Sequence, residues 1–199
     1  MSMRSEFQNM FSLEGPDGSG KTTQIPLIKA ELENRGFEVK VLKSPDTTPL
    51  GEFIRENVRT LEPWLRNNLF LLDINYTLKK NDTSSRAVVL LWDRYVDSFY
   101  TSNREMTLSE STELVKDLPR PVMTFLLDID PQYIFSERQA TLDHHSDPEW
   151  LQQKVMRYRE LVKLESDRFL VIDARLPIEE ITKLIADSIE NMMNKIDEQ

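Results

Sequence analysis

The chain has no cysteine among its 199 residues. That removes any disulfide frame and any thiolate metal site, and it suits a cytoplasmic protein. Histidine is nearly missing too. There are two, His144 and His145, and a lone pair in a polar stretch lacks the further ligands of a zinc centre. No apolar run approaches membrane-spanning length, and Met1 to Gln8 lacks the apolar core of a signal peptide. Net positive charge is absent as well. A formal net charge of -9 argues against nucleic acid or an anionic membrane as partner. An anionic substrate would need a local positive pocket within an unfavourable overall field. Repeats and low-complexity segments are also missing.

What is present fits one α/β domain with a real core and a well-solvated surface: 39% hydrophobic and 30% charged residues. The most informative stretch is Gly15-Pro16-Asp17-Gly18-Ser19-Gly20-Lys21-Thr22, a complete G-x-x-x-x-G-K-T phosphate-binding loop. An apolar run, Met10 to Leu13, precedes it and reads as a strand. Thr22 through Ile25, Leu27, Ile28 and Leu32 follows and reads as an amphipathic helix. Glycines let the backbone curl closely round a phosphate. The curl aims N–H groups inward, and the helix start adds its positive dipole end. Gly15, Asp17, Gly18, Ser19, Gly20, Lys21, Thr22 and Thr23 are therefore the expected ATP-binding set, with Lys21 reaching the β/γ-phosphates and the Thr22 hydroxyl on Mg²⁺.

Beyond the loop, strand and helix signals alternate. The first helix is expected over about Gly20 to Arg35, with Gly36 as its C′ residue. Phe37 to Leu42 alternates as a strand, and Leu50 to Val58 and Glu62 to Lys80 read as helices. Ala87 to Trp92 and Val122 to Leu127 are continuous apolar runs, the mark of central strands covered on both faces. Ser98 to Asn103 opens a helix, Leu108 to Leu118 forms another, and Asp130-Pro131 caps a further one. Glu149 to Glu165 is helical and Phe169 to Ile172 is the last strand. A final helix from Ile178 sets Ile178, Ile181, Ile185, Ile189 and Met192 toward the core. Trp64, Trp92 and Trp150 read as packing residues. The alternation gives a parallel sheet with helices on both faces.

The chain resembles the thymidylate kinases among the P-loop nucleoside-monophosphate kinases. The resemblance rests on Leu13 to Gln24, on Thr48-Pro49-Leu50-Gly51-Glu52 with Ile54-Arg55, on Leu69-Phe70 with Asp73, on Asp93-Arg94-Tyr95 with Asp97-Ser98, and on Val171 to Ala174 with Ile178-Glu179-Glu180. It implies a P-loop NTPase fold: a five-stranded parallel sheet with helices on both faces, in one kinase domain over residues 1–199 with a lid at about 139–148. It implies phosphorylation of a nucleoside monophosphate, dTMP first, by ATP with Mg²⁺, in a cytoplasmic homodimer. Phosphoryl transfer needs positioning and charge neutralisation more than covalent chemistry. Lys21 and the loop amides would hold the donor, and Thr22 with Asp93 the metal. Arg94 would grip the acceptor phosphate through a bidentate fork. By the resemblance, Asp17 accepts from the acceptor sugar hydroxyl, Phe70 stacks on its base, and Pro45 and Tyr95 complete the substrate site.

Three departures matter. The family's arginine that reads the thymine edge, four residues after the stacking phenylalanine, is Ile74 here and cannot donate. The family's Arg-Glu-Pro-Gly-Gly segment becomes Lys43-Ser44-Pro45-Asp46-Thr47, in which Lys43 keeps a charge without the planar fork. Gly18 stands where some members carry a loop cation, and Gln139 to Pro148 holds no Arg or Lys. Arg138, at the base of that segment, is then the candidate catalytic cation, with Arg157 and Arg159 on the next helix. Two alternatives stay open: a kinase of another nucleotide or nucleotide-like metabolite, and a catalytically weak nucleotide-binding regulatory protein.

Overall fold

The structure is a computed structural model that describes residues 8–58, 60–81, 87–137 and 147–197. Its centre is a five-stranded sheet: β1 (Met10–Glu14), β2 (Glu38–Lys43), β3 (Val88–Asp93), β4 (Met123–Asp128) and β5 (Phe169–Asp173), in the order β2-β3-β1-β4-β5. Every pairing is parallel. β1 lies in the middle, and all five of its residues are buried. The period of two along a strand then sorts the core onto two faces. Phe11 and Leu13 of β1 join Val89, Leu91, Phe125 and Leu127 on one face, and Met10 joins Leu90 and Trp92 on the other.

The first face is covered by α1 (Lys21–Asn34) and α8 (Ile178–Asp197) through Ile28, Leu32, Ile181, Ile185 and Ile189. The second is covered by α3 (Pro63–Lys80) and α4 (Asp97–Thr101), which contribute Ile74 and Phe99. α2 (Pro49–Asn57) packs on α3, and α7 (Pro148–Leu164) packs on α4. α5 is Leu108–Leu114 and α6 is Pro131–Glu137. The strand order reverses on either side of β1, so a crevice opens beyond the carboxyl ends of the strands, where ligands bind in such sheets.

The expected elements all form, with boundaries shifted by a residue or two at most ends. α1 ends as the sequence implies. Gly36 has φ 95°, and the Phe37 and Gly36 amides donate to the Leu32 and Glu33 carbonyls, a Schellman closure. Asp130 caps α6 by accepting from the Gln132 amide. Three expectations fail. α5 stops at Leu114 rather than Leu118; Pro119 disfavours helical backbone at Leu118, and residues 115–117 already form a turn ahead of it. Ile178 is 47% exposed, as the opening residue of α8 rather than part of its buried stripe. Trp64 is 66% exposed and lies outside the core clusters, whereas Trp92 is fully buried and Trp150 lies under the Arg104 and Arg157 guanidiniums. Among the described residues no helix is long and apolar enough to cross a membrane.

Candidate active site

β1 delivers the chain straight into the phosphate loop. Gly15 has φ 150°, and a Cβ there would meet Ser19 Oγ at 2.7 Å and the Leu127 carbonyl at 2.8 Å, so only glycine fits. Gly18 and Gly20 also take positive φ. Gly20 is the N-cap of α1, and the loop residues Asp17 to Thr23 line one cavity together with Gln24 and Asp93. Lys21 opens the helix and turns back into this curl. Its ammonium donates to the Gly15 and Pro16 carbonyls at 2.8 Å each and to Ser19 Oγ at 3.3 Å. Burial, and then the Arg94 guanidinium, draw its pKa down to about 7, against the pull of Asp17, Glu14 and Asp93.

Arg94 follows β3 in a left-handed conformation, φ 65°. A non-glycine residue pays for that geometry in steric strain, and such positions cluster at functional sites. Its guanidinium donates to the Gly15 carbonyl at 3.1 Å and is ion-paired with Asp17. Lys154 of α7 holds the other Asp17 oxygen at 2.8 Å. Burial opposes ionisation of Asp17, but Arg94 and Lys154 outweigh it and keep the carboxyl well below the usual range. Asp17 therefore joins the loop, β3 and α7 through one carboxylate.

Beneath this knot lies Glu14, fully buried at the end of β1. It accepts from the Tyr95 amide at 2.6 Å, and from Ser98 Oγ and the Tyr158 hydroxyl at 2.8 Å each. Burial and the nearby Asp97 carboxylate push its pKa up to about 7, against Arg94 and the hydrogen bonds. Asp97 is itself clamped by both Arg168 nitrogens, at 2.9 and 2.8 Å.

A second cavity, of about 240 Å³, lies on the far side of Arg94 between α3 and α4. Phe70 forms part of its wall, edge-on to Phe99 with ring centroids 6.2 Å apart. Pro45, Tyr95 and Ile74 line it too. The loop carrying Pro45 is anchored by buried Asp73, whose Oδ2 accepts from Ser44 Oγ at 2.7 Å and the Asp46 amide at 3.0 Å. The loop closes tightly against α2, since a Cβ on Gly51 would fall 1.9 Å from the Asp46 carbonyl.

Arg94 thus lines both cavities. The donor-side residues from Asp17 to Thr23 gather with Asp93 in the first, and Pro45, Phe70 and Tyr95 in the second. Lys43 is exposed and lines neither. Arg157 is tied to the Tyr100, Asn103 and Met106 carbonyls, and Arg159 to Asp128, so neither reaches the cavities. Arg138, His144 and His145 lie outside the described residues. Glu14 and Lys154 were missed by the sequence reasoning. The signal for Lys154 was a single charge within the buried stripe of Leu151, Val155, Tyr158 and Leu161. The signal for Glu14 was a carboxylate completing an apolar strand.

A model of the thymidylate kinase family matches residues 13–185. The probable thymidylate kinase of Methanosphaera stadtmanae is 33% identical, over 92% of this chain and 96% of its own. That of Archaeoglobus fulgidus is 31% identical, over 93% and 96%. The thymidylate kinase of Deinococcus radiodurans is 30% identical, over 87% and 93%. A phosphate loop set beside a second cavity that shares its arginine accords with these likenesses: the chain belongs to the thymidylate kinase family of ATP-dependent nucleoside-monophosphate kinases.

Proposed function

We propose that the protein moves the γ-phosphoryl group of ATP onto dTMP, with the donor in the phosphate-loop cavity and the acceptor in the cavity between α3 and α4. The observation that carries this reading is the shared wall: one guanidinium, Arg94, borders both spaces. In-line transfer needs an acceptor phosphate oxygen to approach the γ-phosphorus as ADP leaves on the opposite side, with charge neutralised across the gap. Lys21 and the loop amides bind the β/γ-phosphates. Arg94 orients the acceptor phosphate. Asp17 holds Arg94 and Lys154 as one cationic group and is within the same loop for the sugar hydroxyl. Phe70 stacks on the base, with Pro45 and Tyr95 closing the pocket. We also assign Arg138, which lies outside the described residues, to add positive charge at transfer, with Lys154 adding more from α7.

Thr22 and Asp93 both line the phosphate cavity. A hydroxyl and a carboxylate are hard oxygen donors that fit Mg²⁺, which takes its remaining ligands from phosphate and water. When bound, the ion supplies charge neutralisation on the donor phosphates. We further read residues 1–199 as one kinase domain, acting in the cytoplasm as a homodimer. The dimer reading is supported by exposed apolar side chains on α3, Trp64, Leu72 and Tyr76.

The test is ADP release with purified protein, ATP and Mg²⁺ across dTMP, dUMP, dCMP, dAMP and dGMP. The expected result is turnover with dTMP. Turnover confined to another monophosphate would replace the acceptor, a reading that buried Ile74 keeps open. ATP binding without turnover on any of them would overturn the kinase reading in favour of a regulatory nucleotide binder.

A further inference from the structure

We propose that Arg66 and Asn67, one turn before Phe70 on α3, read the base of the acceptor by donating hydrogen bonds to its carbonyl oxygens. The inference rests on the reading of the α3/α4 cavity as the acceptor site. Position 74 cannot do this work, because Ile74 is apolar and buried in the wall. Phe70 and Phe99 beside it offer no hydrogen bond either.

Helical spacing sets Arg66, Phe70 and Ile74 in one row, each four residues from the next, and all three line the cavity. The side chain of Arg66 makes no hydrogen bond or ion pair among the described residues. Nor does helix stability explain it. A cation in the first turn of a helix faces the positive end of the dipole. Its five N–H donors are thus available at the cavity wall.

Asn67 is oriented by a chain of bonds that begins at an unambiguous donor. The Glu105 amide donates to Asn103 Oδ1 at 3.3 Å. Asn103 must therefore turn its Nδ2 the other way, and it donates to Asn67 Oδ1 at 3.0 Å. That uses the acceptor of Asn67 and leaves its amide N–H groups as the side chain's remaining offer. Asn103 is 4% exposed, so the pair is fixed rather than floating. Ser98, another polar residue of this wall, spends its hydroxyl proton on Glu14.

The result is a wall biased toward donors. A 4-oxo pyrimidine, thymine or uracil, meets it with carbonyl acceptors. Cytosine presents an amino group where those bases carry O4, which sets donor against donor. A site built this way discriminates strongly, because a mismatched base leaves buried polar groups unpaired. Recognition of the oxo edge has moved one turn up from Phe70 instead of one turn down.

Calorimetric titration of the full-length protein with dTMP and dCMP tests this without requiring turnover. Wild type should bind dTMP more tightly than dCMP. Arg66→Leu should weaken dTMP by about 10- to 100-fold, the range for losing a charged donor, and leave dCMP nearly unchanged. Arg66→Lys should restore part of the loss, which a structural role for the arginine would not produce. ATP binding should be unaffected in every variant and serves as the check on folding. Unchanged dTMP affinity in Arg66→Leu, or wild type that does not distinguish the two nucleotides, overturns the proposal. Discrimination in binding alongside failed turnover in the ADP-release screen would instead count against the kinase reading and leave Arg66 in its role.

Discussion

At the scale of single residues, Lys21 shows how the site prepares for its ligand. Its ammonium is buried, with carbonyls as its main partners and the Arg94 charge nearby, and its pKa falls to about 7 from 10.5. Phosphates beside it would pull that value up again, so ATP binding should take up protons. The sign follows from linkage: a bound state with the higher pKa holds more protons between the two values. Calorimetry at pH 8 in two buffers of different ionisation enthalpy should give different apparent enthalpies, in the direction of uptake by the protein. Equal enthalpies would exclude it. Lys21 was legible in sequence because phosphate geometry fixes the loop's spacing. Lys154 was not, because its partner Asp17 lies 137 residues away and nothing local encodes that pairing. Glu14 was hidden for the same reason, since it meets Tyr158 across 144 residues.

At the scale of elements, Glu14 ties the end of β1 to α4 and α7 through Ser98 and Tyr158. Its carboxyl titrates near 7 in the fold against 4.5 in an unperturbed chain. Between those values the folded state holds the proton more tightly than the unfolded one, so stability falls as pH rises from about 5 to 7. Glu14→Gln imitates the protonated acid. Urea denaturation of this variant over the same range should show a flatter dependence on pH than wild type. An identical slope in both would remove Glu14 as the source. Most elements could be read from the sequence because burial imposes a period: continuous apolar runs for β3 and β4, and a 3.6-residue repeat for α8. The end of α5 depended on weighing Pro119 against a favourable pattern. The exposure of Trp64 depended on what lies opposite α3, which a one-dimensional pattern does not contain.

At the scale of the whole molecule, a chain of net charge -9 concentrates cations where the two cavities meet: Lys21, Arg94 and Lys154 gather round the phosphate loop. The outer face of α3 is different. Leu72 is 57% exposed and shares the outer face of α3 with exposed Tyr76 one turn on, a pair of apolar side chains that a partner copy could cover. If this face pairs two copies, wild type should sediment as a dimer at micromolar concentration, and Leu72→Glu should shift it toward monomer while keeping the helical circular dichroism of the fold, with a midpoint that no longer rises with protein concentration. A monomer in both would refute the pairing.

The double placement of Arg94 has one more consequence. A guanidinium that borders two ligands cannot adjust to one without changing what it offers the other, so the two binding equilibria are linked. Whatever factor a bound donor imposes on the affinity for the acceptor, the acceptor must return to the donor. A ternary complex assembled in either order then ends at the same free energy, so the coupling measured from the donor side equals the coupling measured from the acceptor side.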